Sequence, residues 1–186
     1  MNVQLPVHMD KPAFLAWVQG REERYELVEG RVVMMVGASR GHGLIVANLV
    51  VLLRNQVDPA QWAVIADFGV DAGPRTLRYP DIMIEPAGAN LADYSTAEPV
   101  LLAEVLSPTT AEVDLGDKAA EYLKLPSLLA YIVFAQREPK AYVWQRSAEG
   151  FGSTPVTLAG RDASVRIERL NLVVPFDAVY AGIKFD

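Results

Sequence analysis

Val100-Leu101-Leu102-Ala103-Glu104-Val105-Leu106-Ser107-Pro108-Thr109-Thr110 decides the reading of this chain. Residues 100–106 have the apolar content of a strand, broken by one carboxylate, and the Ser-Pro-Thr-Thr segment ends the strand and can cap a following helix. An ionised carboxylate inside a sheet is costly unless it is paired or bound to a cation, so Glu104 calls for an explanation. Upstream, Arg78-Tyr79-Pro80-Asp81-Ile82-Met83-Ile84 lies in a second strand candidate, residues 77–84, and carries Asp81 directly after a proline. If the two strands are paired neighbours, Asp81 and Glu104 stand side by side at one end of the sheet. They would then form a pair of oxygen donors of the kind that holds a hard cation such as Mg2+ in phosphoryl chemistry. The ordinary alternative is a turn capped by Asp81 and an ion pair from Glu104 to a nearby arginine such as Arg78.

Downstream, residues 111–125 read as a helix with Leu115, Ala119, Tyr122 and Leu123 as its apolar stripe. Lys118 sits at the edge of that stripe and can extend its ammonium along the sheet towards the carboxylates. There it could stabilise charge on a reacting phosphate or orient a water. The competing reading pairs Lys118 with Asp114 at i, i+4 on a solvated helix. Upstream, residues 10–18 read as a short helix capped by Asp10 and stopped by Gly20. Tyr25 to Met35 reads as a hairpin turning at Glu29-Gly30, and Ser39 to Gly43 punctuates the chain before a helix at residues 44–57. Residues 44–53 of that helix are apolar nearly all round, which implies burial on more than one side or packing in an oligomer. Glu26 in the hairpin and His42 before the helix could face the same cleft. Their ordinary readings are an outward strand residue paired with Arg24 or Arg31, and a polar residue at a helix start.

Residues 62–70 are a further strand candidate and residues 86–98 a loop. Residues 128–134, 141–145, 155–158, 164–167 and 172–174 read as later strands, and a last helical turn starts near Pro175. The order is mixed α/β with one sheet and one domain, residues 1–186. Hydrophobic residues make up 51% of the 186, ample for a core without disulfides, and there is no cysteine, which removes thiol catalysis and cysteine-ligated metals and fits a reducing, cytoplasmic setting. The net charge of −6 argues against a global cationic field, so any nucleic-acid contact is local. Neither a signal peptide nor a membrane span is expected. The chain has no P-loop, G-x-G-x-x-G, H-E-x-x-H or G-x-S-x-G signature. A two-carboxylate glycosidase would leave Lys118 unexplained, and no aromatic cluster is expected near either acid.

In order, R-Y-E-L-V-E-G (24–30), His42 before an apolar helix, P-D (80–81), A-E-V-L-S-P-T-T (103–110) and D-L-G-D-K-x-x-x-Y (114–122) resemble the Uma-type family of putative restriction endonucleases, in the PD-(D/E)XK nuclease superfamily. The resemblance runs from about Leu5 to the end. It implies a restriction-endonuclease-like α/β core, with a mixed central sheet flanked by helices and an N-terminal β-hairpin extension. It also implies Asp81 and Glu104 as ligands of Mg2+ or Mn2+, Glu26 as a third acid and His42 as an auxiliary residue. Residue i+2 of Glu104, where the superfamily's lysine usually stands, is Leu106, and the family is thought to take its lysine from the next helix, here Lys118. Tyr131-Ile132-Val133-Phe134-Ala135 stands where many members read Y-W-x-V-D. The implied activity is metal-dependent phosphodiester hydrolysis in nucleic acid, with DNA as substrate and Arg75 and Arg78 contacting phosphates. The rival expectation is a catalytically silent binding or assembly module that keeps the fold. A homo-oligomer, a dimer or small symmetric assembly, is expected from the apolar helix.

Overall fold

The computed structural model describes residues 3–35, 37–106 and 113–185. After strand β1 (Val3–His8), helix α1 (Lys11–Val18) starts where the Asp10 carboxylate accepts from the Ala13 amide, with a proline in the first turn. Strands β2 (Tyr25–Val28) and β3 (Arg31–Met34) form the expected hairpin. Its two turn residues both take positive φ, 49° at Glu29 and 81° at Gly30, which matches the turn to the twist of its strands. Helix α2 (Arg40–Arg54) begins four residues earlier than the apolar pattern suggests, because Ser39 accepts from the His42 amide and caps it.

Two stretches that read as single strands are each two. Residues 62–70 divide into β4 (Trp62–Ala66) and β5 (Gly69–Gly73), and residues 77–84 into β6 (Thr76–Arg78) and β7 (Ile82–Pro86). At the first break Asp67 has φ 55° and Gly69 passes so close to the Tyr94 carbonyl that a Cβ would stand 2.5 Å from it. At the second, Tyr79-Pro80-Asp81 interrupts the pairing, as a residue without an amide hydrogen does. Each break carries the chain between sheets, so the expected single sheet is two. Hydrophobic periodicity continues across both breaks and could not show them.

The remaining elements are β8 (Ser95–Thr96), β9 (Leu101–Val105), a π-turn (Val113–Asp117) running into α3 (Lys118–Tyr122), β10 (Ala130–Phe134), β11 (Lys140–Gln145), β12 (Val156–Ala159), β13 (Ser164–Ile167), β14 (Leu172–Pro175) and α4 (Phe176–Val179). The expected cap at residues 107–110 lies outside the described residues. The first sheet has the order β1-β3-β2-β6-β5-β8 and the second β12-β11-β10-β9-β7-β4, with β13–β14 as a separate ribbon. The second is mixed, since β9 runs parallel to β10 and antiparallel to β7.

Alternation along the central strands sorts their side chains into two layers. Ile82, Ile84, Leu101, Ala103 and Val105 join Ile45, Leu49 and Leu53 of α2 and Phe176 of α4 in one core. Met83, Leu102, Tyr131 and Val133 face the other way, into a second core with Ala119 and Tyr122 of α3. A third, smaller cluster of Phe14, Tyr25, Leu27, Val32 and Leu77 seats α1 on the first sheet. Helix α2 is not buried all round: Leu44 and Val51 are 39% and 61% exposed on its outer side. Among the described residues no helix is long and apolar enough to cross a membrane.

Candidate active site

Strands β7 and β9 pair with Ile82 opposite Ala103, and one further step of that register puts Asp81 opposite Glu104. Directly opposed residues on an antiparallel pair share a face with Cβ atoms about 5 Å apart. The ladder itself ends at Ile82, and past it the Asp81 carboxylate reaches β9 at the Val105 amide, next to Glu104. Asp81, just outside β7, is held by both oxygens: the Val105 amide donates to Oδ2 at 2.7 Å, and His42 Nε2 lies 3.0 Å from Oδ1. His42 reaches it from the first turn of α2. Its imidazole pKa is raised: burial works against the charged ring, but the hydrogen bond and charge of Asp81 outweigh it.

Glu104 and Lys118 are both buried, and Lys118 Nζ donates to Glu104 Oε1 at 2.8 Å. The same ammonium lies 3.2 Å from Asp114 Oδ1 and 3.6 Å from Glu26 Oε1. The expected i, i+4 pair of Asp114 and Lys118 thus exists, but inside the protein rather than on a solvated face. It is one arm of a three-carboxylate cradle. Burial pushes the Glu104 carboxyl well up, and the charges of Asp81 and Asp114 add to that against the pull of Lys118. Burial lowers the Lys118 pKa, but Glu104, Glu26 and Asp114 more than reverse it, so the ammonium stays protonated. Leu106 packs against the second core, leaving the lysine's role to the helix.

Glu26 comes from the hairpin, with Arg78 as its partner in place of Arg24 or Arg31. Arg78 Nη1 donates to Glu26 Oε2 at 2.9 Å, and the Tyr79 amide to Oε1 at 3.2 Å. The other edge of the Arg78 guanidinium grips Glu121 of α3 through Nε at 2.7 Å and Nη2 at 2.9 Å. Burial would raise the Glu26 pKa, but Lys118 and Arg78 together hold it below the usual carboxylate range. Arg78 is therefore a buried strut between the hairpin and α3 and has no free face for a phosphate, contrary to the sequence reading; Arg75 is exposed near Glu29. Glu104 also sits among aromatics that the sequence did not place there. The Tyr122 hydroxyl lies 3.4 Å from Glu104 Oε1, and the Tyr131 ring packs edge-on to Tyr122 at 5.2 Å. Tyr131 donates to the Asp114 carbonyl at 2.9 Å, fixing the π-turn. Tyr122 and Tyr131 were legible as apolar positions, but nothing in their spacing marks them as neighbours of an acid.

Among the described residues no group of three or more His, Asp or Glu side chains could enclose a metal ion. A closed transition-metal site is thereby a poor fit. Mg2+ binds through one or two carboxylates and completes its shell with water and substrate phosphate oxygens. The opposed Asp81 and Glu104 fit that requirement. Burial is the main reason the Glu104 carboxyl is raised, and the neighbouring charges of Asp81 and Asp114, which add to it, are of the sign that favours a cation there.

The family model Uma2, described as "Putative restriction endonuclease", matches residues 12–173. An uncharacterized protein of Synechocystis sp. is 25% identical over 178 residues, which span 92% of this chain and 91% of that protein. A second uncharacterized Synechocystis protein is 29% identical over 119 residues, 61% of this chain and 67% of its own length. The crystal structure of a putative nuclease from Anabaena variabilis is similar in fold, with a TM-score of 0.77, 16% identity, and coverage of 93% of this chain and 98% of that one.

Proposed function

We propose that this chain, which belongs to the Uma2 family, is a metal-dependent endonuclease that hydrolyses phosphodiester bonds in nucleic acid. The observation that carries the reading is the convergence, from four separate elements, of Asp81, Glu104, Lys118 and Glu26 on one end of the second sheet. The family's description as a restriction endonuclease favours DNA as the substrate. Asp81 and Glu104 would hold Mg2+ or Mn2+, which when bound lowers the pKa of a coordinated water and neutralises phosphate charge. Asp81 is fixed for that task by His42 and the Val105 amide. Lys118, kept protonated by its carboxylates, supplies the positive charge that offsets charge developing on the phosphate oxygens. Glu26 lies 3.6 Å from the ammonium and is itself anchored by Arg78.

The rival, a silent binding or assembly module, draws support from Lys118 already occupying a Glu104 oxygen. The test is cleavage of duplex DNA, single-stranded DNA and RNA with Mg2+ or Mn2+, wild type against Asp81→Ala. Metal-dependent cleavage lost in the variant supports the enzyme. No cleavage, together with no rise in melting temperature at millimolar metal, establishes the silent module, because an ion bound only by the folded state must stabilise it. We also propose self-association through the outer side of α2, where Leu44 and Val51 leave an apolar stripe exposed. A mass near that of a single chain at micromolar concentration would rule it out.

A further inference from the structure

Asp114 is 2% exposed, and among the described residues its Oδ1 makes no hydrogen bond, although Lys118 Nζ is within ion-pair reach at 3.2 Å. The ammonium's hydrogen bond is to Glu104, 2.8 Å away, and Asp114 is beside it as an ion-pair partner without a hydrogen bond. A buried carboxylate oxygen without a hydrogen bond is expensive, so its persistence needs a reason. Its location sharpens the question. Asp114 belongs to a single turn of π-helix, a local geometry frequent at functional positions, and the turn is pinned by the Tyr131 hydroxyl on the Asp114 carbonyl.

We infer that Asp114 is a positioning residue, the second acceptor onto which Lys118 moves when a divalent cation takes the Glu104 oxygen. The inference rests on the metal-binding reading above. A cation that takes Glu104 Oε1 displaces the buried ammonium from its closest partner, and without Asp114 would leave it only Glu26, at 3.6 Å, at a large cost. With Asp114 already 3.2 Å away, a small swing of a flexible side chain exchanges one charge-assisted hydrogen bond for another. Glu26 is less suited to this part, because it lies farther off at 3.6 Å and each of its oxygens already accepts one hydrogen bond, from Arg78 and from the Tyr79 amide. The displaced ammonium remains protonated and beside the reacting centre. One residue four positions before Lys118 thereby lets a single acid serve the lysine and the cation in turn.

The experiment uses the wild-type chain crystallised with Mn2+, whose anomalous signal locates the ion. The expected result is Mn2+ between Asp81 and Glu104, with Lys118 Nζ within hydrogen-bonding distance of Asp114 Oδ1 and no longer bonded to Glu104. Mn2+ bound there with Lys118 still on Glu104 overturns the inference and leaves the nuclease reading standing. No Mn2+ at the two acids overturns both. In solution, Asp114→Asn should weaken Mn2+ binding about tenfold in calorimetry, the scale expected when a residue supporting a metal ligand is lost. Asp114→Glu should restore most of it, and in a Lys118→Met background Asp114→Asn should have no effect. An equal loss in both backgrounds would reduce Asp114 to a distant negative charge. The crystallographic arm decides the matter even where Asp114→Asn fails to fold.

Discussion

The two faces of strand β9 differ by one residue step and by everything chemical. Ala103 and Val105 point into the core under α2 and α4, where Ile45, Leu49, Leu53, Ile82 and Phe176 pack together. Glu104, between them, points the other way towards Lys118, with Asp114 and Glu26 around it. Because the side-chain period of a strand is two, a slip of one residue would put Glu104 among the aliphatics. The apolar face therefore fixes the register that the charged face needs. Packing on one side lets four buried ionisable groups keep fixed positions on the other.

The largest effect expected from breaking this arrangement is at Arg78, which ties Glu26 of the hairpin to Glu121 of α3. Arg78→Met strands Glu26 in a buried place without the guanidinium that hydrogen-bonds it and should cost about 3–5 kcal/mol in urea unfolding. The triple variant with Glu26→Gln and Glu121→Gln should recover much of it. If the single substitution costs under about 1 kcal/mol, the strut is not holding the hairpin to α3.

Next comes a pair of substitutions, one on each face. Lys118→Ala should reduce phosphodiester cleavage about a hundredfold, comparable with removing one preorganised donor from a developing anion. Leu49→Ala, fully buried on the opposite face, should cost about 2–5 kcal/mol of stability and leave the rate per folded molecule unchanged. Equal loss of rate in the two would erase the functional distinction between the faces.

Much of this was legible in the sequence, and the particular failures show why the rest was not. Glu104 and Asp81 stood out because a carboxylate among strand aliphatics is anomalous, and the edge of the stripe at Leu115, Ala119 and Tyr122 gave the side on which Lys118 emerges. Arg78 was misread because its partners Glu26 and Glu121 lie 52 and 43 positions away, and linear spacing carries no information about a contact between elements so far apart in the chain. Asp114 was read as a surface partner for the converse reason: i, i+4 spacing establishes the contact but not its burial. The division into two sheets turned on Asp67 and Pro80, single backbone conformations inside otherwise continuous apolar patterns.

The pH dependence of stability separates the faces again, since only one of them titrates. Glu26 has a folded pKa below its usual value, so the stability it contributes is complete above about pH 4.5, its unperturbed value. That contribution is lost as the pH falls further, through the folded pKa. Glu26→Gln should accordingly be less stable than wild type at pH 7, and the gap should narrow below about pH 4.5. A gap that stays constant down to pH 3 would mean that Glu26 contributes through shape rather than charge.

The smallest expected effect is at Tyr122, where the two kinds of layer meet within one side chain. Its ring is fully buried in the second core against Tyr131, while its hydroxyl lies 3.4 Å from Glu104 Oε1. That is long for a hydrogen bond between oxygens, and Lys118 holds the same oxygen more closely, at 2.8 Å. Tyr122→Phe keeps the ring and removes only the weaker of the two donors. It should therefore cost about 0.5–1.5 kcal/mol, at the low end of that range, in chemical denaturation. Cleavage should fall far less than in Lys118→Ala. A loss above about 3 kcal/mol would show that the hydroxyl, not the lysine, is the principal donor holding Glu104, and the assignment of Lys118 as the group that neutralises Glu104 would then have to be reversed.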